Sequence, residues 1–135
     1  MKYFMIAWCF FATMSLSFGQ KIKSDKVPDA VKMAFAKVHP GVSDIDWEQE
    51  DGGYEAEFDG PNDVEMSAVF AADGKWLETE QEIKKSELPA PVLAKLTGKK
   101  VKEASKITRA DGSVVYEAEV KRNDLLFDAA GNTVK

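Results

Sequence analysis

The sequence predicts an α+β protein: two tandem helix-plus-antiparallel-sheet repeats, with helices packed on one face of a continuous antiparallel sheet and the other face open. Three observations predict it. Tyr-Glu-Ala-Glu occurs twice, at 54–57 and 116–119. Around it, Val27-Pro28-Asp29-Ala30-Val31 matches Leu88-Pro89-Ala90-Pro91-Val92, Asp51-Gly52 matches Asp111-Gly112, and Phe70-Ala71-Ala72-Asp73-Gly74 matches Phe127-Asp128-Ala129-Ala130-Gly131. Within each copy the apolar residues recur first at helical spacing and then with period two. No Pro-, Gly- or Ser-rich linker separates the copies, at about 27–83 and 88–135, so they are expected to share one core.

The chain opens with a segment to set aside. Residues 1–19 carry one positive charge, Lys2, and then an apolar run over 3–14. The run is too short for a spanning helix, which needs ~20 apolar residues, and Ser17-Phe18-Gly19 puts small residues where a signal peptidase requires them. A secretory signal cleaved before Gln20 is expected, with a periplasmic or secreted product that does not insert in the membrane. Cys9, the only cysteine, lies inside the run rather than at the cleavage point. The exported chain would then have no thiol, which excludes disulfides, thiolate metal sites and cysteine nucleophiles. The 116 residues left, 20–135, suffice for a single domain with a modest core.

In the first unit, Pro28 suits a first helical turn. Val31, Ala34, Phe35 and Val38 follow at helical spacing, and His39-Pro40-Gly41 ends the helix. His39, the only histidine, is expected to cap that end and interact with the helix dipole. The second helix, with Val92, Leu93 and Leu96, is shorter and stops at Gly98. Strands follow. Ile45, Trp47 and Gln49 alternate against Asp44, Asp46, Glu48 and Glu50, and Tyr54, Ala56 and Phe58 alternate against Glu55, Glu57 and Asp59. Asp51-Gly52-Gly53 offers two alternative tight turns, and either one puts Trp47 and Phe58 on the same apolar side. Seven carboxylates then crowd the opposite face of one hairpin. A three-residue loop at Pro61-Asn62-Asp63 would set Met66 opposite Phe58 and Phe70 opposite Tyr54. A tight turn at Asp73-Gly74 would pair Phe70 with Leu77, placing Trp76 on the acidic side beside Val69, Ala71, Glu78, Glu80 and Glu82.

Charge is unevenly distributed. The full chain carries a formal −5. Residues 44–82 hold fourteen acids and one base, Lys75, whereas 20–43 and 83–135 are each net basic. An acidic middle argues against nucleic acid, which needs clustered Lys and Arg on one face. It favours a cationic partner.

These motifs in order resemble a family: (Val/Leu)-Pro-x-x-Val opening each unit, Trp47 ahead of an acidic stretch, Tyr-Glu-Ala-Glu, Phe70-x-x-Asp73-Gly74-x-Trp76 and Leu77-Glu78-Thr79-Glu80. They look like the PepSY-like, β-lactamase-inhibitor-like secreted domains of Gram-negative bacteria. The resemblance covers nearly all of 20–135. It implies a two-repeat α+β fold, helices on one face of the sheet, an extracytoplasmic location, and no catalytic residues to carry over. Two departures stand out. Residues 116–131 span fifteen positions where 54–74 span twenty, and Thr133 stands where the first unit has Trp76.

For function, the expected site is the acidic face, with Trp76, Glu48, Glu55, Glu57, Glu78 and Glu80 contacting a protein or peptide of basic surface, possessing inhibitor-like character toward a hydrolase. The alternative is a calcium-type cation site or a stress-buffering role with no protein partner. No cofactor is expected. Against a metal, side chains on a flat sheet splay apart, whereas Ca²⁺ wants six to eight converging oxygens. Against an enzyme, the chain lacks a Gly-Lys-Ser phosphate loop, a Gly-x-Ser-x-Gly elbow and paired histidines, and an evenly acidic face offers no carboxylate pair with contrasting environments.

Overall fold

The computed structural model describes residues 19–135, so Lys2, Cys9 and the apolar run of the expected signal lie outside the described residues. The elements are β1 (Gln20–Ile22), α1 (Asp29–Val38), β2 (Asp46–Glu50), β3 (Gly53–Asp59), β4 (Glu65–Ala71), β5 (Trp76–Ile83), α2 (Ala90–Lys95), β6 (Val101–Arg109), β7 (Val114–Val120) and β8 (Asn123–Phe127). The eight strands form one antiparallel sheet in chain order. The α+β class and the continuous antiparallel sheet are therefore as the sequence implies.

Pro28 precedes α1 with φ −55° and ψ 140°, where its missing N–H costs nothing because the first helical donors have no partner in any case. Val31 and Phe35 are the buried positions of α1, and they pack on Trp47, Ala56, Phe58, Ala68 and Phe70. The Phe35 ring meets Phe58, Trp47 and Phe70 edge-on at centroid distances of 5.0, 5.7 and 6.3 Å, the arrangement favoured by ring quadrupoles. Val38 was expected on this stripe but is 53 % exposed. The stripe instead continues to His39, four residues after Phe35, whose ring lies 4.6 Å from Phe58 and 5.2 Å from Phe35. His39 does end the helix, donating its N–H to the Phe35 carbonyl at 2.8 Å. Burial pushes its imidazole below the usual histidine range, so it serves as an aromatic wedge rather than as a cation facing the helix dipole.

α2 repeats the arrangement in miniature: Leu88, Val92 and Leu96 cover Ala104, Ala118, Val120 and Phe127. The strand pairings place Ala56, Ala68, Thr79, Thr108, Ala104 and Ala118 on the same face, so both helices sit on one side of the sheet. Two glycines allow that contact. A Cβ at Gly74 would lie 2.6 Å from the Ala30 carbonyl oxygen, and one at Gly131 would lie 2.7 Å from that of Pro91.

The hairpins settle which residues face the helices. Asp51 and Gly52, at φ 47° and 76°, form a two-residue turn pairing Glu50 with Gly53. The loop through Pro61–Asp63 pairs Phe58 with Met66 and Tyr54 with Phe70, as expected. The next hairpin departs from expectation. Its loop is Ala72-Asp73-Gly74, closed by Ala71 N–H to the Lys75 carbonyl at 2.9 Å and stapled by Lys75 N–H to Asp73 Oδ1 at 2.9 Å. Phe70 therefore pairs with Trp76, not Leu77, and a bulge then restores the pairing of Val69 with Glu78. One extra residue in one strand reverses the facing of whatever precedes it. Trp76 accordingly lies against the α1 core, half-buried, with Nε1 donating to Thr79 Oγ1 at 2.9 Å, and not on the acidic face. The stretch 116–131 is shorter than 54–74 in large part because Lys121 and Arg122 make a two-residue turn between Val120 and Asn123, where the connection from Asp59 to Glu65 has five residues.

Candidate functional site

The helix-free face carries the alternate residues of every strand. Across β2 to β5, Glu48 stands opposite Glu55, Asp46 opposite Glu57, Glu55 opposite Val69, Glu57 opposite Ser67, Ser67 opposite Glu80, and Val69 opposite Glu78. β6 and β7 continue it with Arg109 opposite Glu78, Ile107 opposite Glu80, and Ser105 opposite Glu117. The face was expected to be open. Instead Glu55, Glu80 and Glu117 are only 5, 8 and 7 % exposed, and Ser67 and Ser105 are as deeply buried. Among the described residues, no helical one joins the apolar cluster on this side, which consists of Ile107, Val115 and Leu126 with Val134 packed against it. Each buried acid is flanked on both sides by paired strands, Glu55 by Glu48 and Val69, Glu80 by Ser67 and Ile107, and Glu117 by Ser105 and Leu126, whose side chains stand beside it on this face.

The buried polar residues form a diagonal row: Glu55 on β3, Ser67 on β4, Glu80 on β5, Ser105 on β6, Glu117 on β7, with Asp124 beyond it on β8. Acids and hydroxyls alternate along it. Ser67 hydrogen-bonds the Glu55 carboxyl, and Ser105 that of Glu80. Burial pushes Glu55 up to about 8, against the pull of Ser67, with Glu57, Glu48 and Glu80 adding to the rise. Burial likewise takes Glu80 to about 7, opposed by Ser105. Glu117 has no such relief. Burial first, then Glu80, Asp124, Glu119 and Glu78, drive it to about 9. Glu57, at the rim, reaches about 7 through burial and Glu48, with Lys21 opposing. Glu78 is raised by burial and held back by Arg109, whose Nε lies 3.6 Å from Glu78 Oε2. Two buried oxygens of the row, Glu55 Oε1 and Glu117 Oε2, have no hydrogen-bond partner among the described residues.

Of the six residues expected here, the five glutamates Glu48, Glu55, Glu57, Glu78 and Glu80 do share this face, and Trp76 is on the other. The expectation that the carboxylates splay apart also fails at one point. Glu48, Glu55 and Glu57 each bring one oxygen to within 4.8 Å of the others, so these three residues could hold a metal ion. Sequence reasoning missed Ser67, Ser105, Glu117 and Asp124. Their facing was readable from period-two alternation and from the second Tyr-Glu-Ala-Glu. Their burial was not, because it depends on neighbours that other strands supply. Chemically, the row can hold protons or accept cationic groups. His39 packs on Phe58 on the opposite side of the sheet, away from these carboxyls.

Comparison with known proteins agrees with this architecture. Residues 53–135 match the family model described as "Putative beta-lactamase-inhibitor-like, PepSY-like". Among solved structures, a protein from Bacteroides eggerthii described among "putative periplasmic proteins" is 21 % identical with a TM-score of 0.74, covering 81 % of this chain and 86 % of its own. A DUF2874 family protein from Bacteroides ovatus is 20 % identical with a TM-score of 0.72, covering 82 % and 86 %. A BLIP-like protein from Bacteroides fragilis is 25 % identical with a TM-score of 0.65, covering 80 % and 84 %. A search of curated proteins found no match. No described helix is long and apolar enough to cross a membrane.

Proposed function

The chain belongs to the PepSY-like, β-lactamase-inhibitor-like family, and on that premise we propose that it is a non-enzymatic binding module, periplasmic or secreted, whose acidic face takes up a protein or peptide of basic surface. The observation that carries this reading is the pair of partnerless buried oxygens, Glu55 Oε1 and Glu117 Oε2, on one row of acids. A buried acceptor left unsatisfied costs about 1–3 kcal/mol. A guanidinium or ammonium group from a partner would supply the missing donors and, as the carboxyls give up their protons to solvent on binding, the countercharge. The half-buried Glu48, Glu57 and Glu78 would meet the partner first and guide its approach. Docking on a hydrolase is one form of such binding, in keeping with the BLIP-like description of the B. fragilis structure. The non-enzymatic reading is supported by the separation of His39 from the carboxyls. We also read the fold as two units, about 27–83 and 88–135, supported by the paired approaches of Gly74 to Ala30 and Gly131 to Pro91.

The test is calorimetric titration with a lysine- and arginine-rich decapeptide at low and physiological salt. Saturable binding that weakens with salt, and is lost in a Glu55→Gln, Glu80→Gln, Glu117→Gln variant that still folds, is expected. Equal binding by that variant would refute the reading.

A further inference from the structure

We propose that Glu48, Glu55 and Glu57 form a binding site for a hard divalent cation at the β1 end of the acidic face, independent of whether a protein partner docks there. The geometry is the first support. Three oxygens no more than 4.8 Å apart all lie within about 2.8 Å of a common point, close to the 2.3–2.6 Å that such an ion requires of its oxygen ligands. Small side-chain rotations close the difference. The register produces this convergence: Glu48 and Glu55 are direct cross-strand partners, and Glu57 is two residues along from Glu55 on the same face.

The second support is Glu55 itself. It is 5 % exposed, contributes an oxygen to the cluster, and keeps Oε1 without a hydrogen-bond partner although Ser67 serves the carboxyl. An acceptor so placed is satisfied by a ligand rather than by the protein. Charge is the third. Lys21 stands opposite Glu48 on β1 and opposes the rise at Glu57, but Glu48, Asp46 and Glu65 all act in the other sense there, so the cluster has acidic groups in excess that a divalent ion would offset. Glu48 and Glu57 are half-buried, which leaves room on the open side for water to complete the coordination shell. With only three carboxylates and water, affinity belongs in the weak class of extracellular sites, Kd about 10⁻⁴–10⁻³ M.

The experiment is titration of the purified protein with CaCl₂, and separately with MgCl₂, at constant ionic strength set by NaCl, followed by calorimetry and by two-dimensional amide NMR. Saturable binding with shifts concentrated in β1, β2 and β3 is expected. It should weaken at least ~10-fold in Glu55→Gln and remain unchanged in Asp111→Asn, in the turn between β6 and β7. If Glu55→Gln does not fold, Glu48→Gln at the rim serves instead, with the same loss expected. No saturable binding of either ion up to about 10 mM, roughly ten times the weakest Kd of that class, would overturn the proposal. So would binding that survives in the folded Glu55→Gln or Glu48→Gln variant.

Discussion

Replacing Glu117 by Gln should stabilise the protein at neutral pH, an unusual outcome for a buried position. The carboxyl is held at about 9 by burial and by Glu80, Asp124, Glu119 and Glu78, so it enters the folded state protonated. In the unfolded chain it is an ordinary glutamate and ionised above about 4.5. Folding at pH 7 therefore takes up a proton across about 2.5 pH units, at about 1.4 kcal/mol per unit, which opposes folding by ~3 kcal/mol. Glutamine keeps the shape and carries no such cost. Its amide can also donate toward the acids that surround it. Water reaching the open side of the face reduces the penalty, so the expected gain at pH 7 is about 1–3 kcal/mol. Because the folded-state value is raised, the wild-type stability contribution is fully present below about 4.5 and is lost as pH rises toward 9. The wild type should thus be most stable in mild acid, and Glu117→Gln should flatten the decline by one proton. Urea denaturation at pH 4.5, 7 and 8.5 reads this directly. Identical pH slopes for both proteins, or an equal loss of stability in the variant at every pH, would refute the reasoning.

Two substitutions test the packing that positions the face. Trp76→Ala should cost about 2–4 kcal/mol in urea denaturation, since Trp76 packs on the α1 core and bonds Thr79; a loss under ~0.5 kcal/mol, the size of a surface effect, would return it to the open face. Gly74→Ala should cost about 1–3 kcal/mol, because the residue has φ 89° and a Cβ there meets the Ala30 carbonyl; an unchanged melting temperature would mean that the helix does not sit so close.

Local alternation was enough to read which way most side chains face. Trp47, Phe58 and Phe70 lie under α1 because period two and a short Asp51-Gly52 turn leave no other register. Trp76 was misread for a local reason too. Asp-Gly closes both two-residue and three-residue loops, and the longer loop with its compensating bulge reverses the facing of Trp76 while restoring Glu78 and Glu80. Val38 and His39 show a similar ambiguity at a helix end, where either residue could continue the apolar stripe and the core selects the aromatic ring. The protonated, partnerless character of Glu55 and Glu117 is a different matter. Their facing is visible in Tyr-Glu-Ala-Glu, but their desolvation depends on residues that neighbouring strands bring beside them, and no short window of sequence contains that.

The most direct test of a binding face built on this row is amide and side-chain chemical-shift mapping with the basic decapeptide. The account predicts saturable shifts at Glu55, Ser67, Glu80, Ser105 and Glu117, with Met33 and the rest of the exposed side of α1 unmoved. Shifts confined to the helix side, or none that saturate, would contradict it.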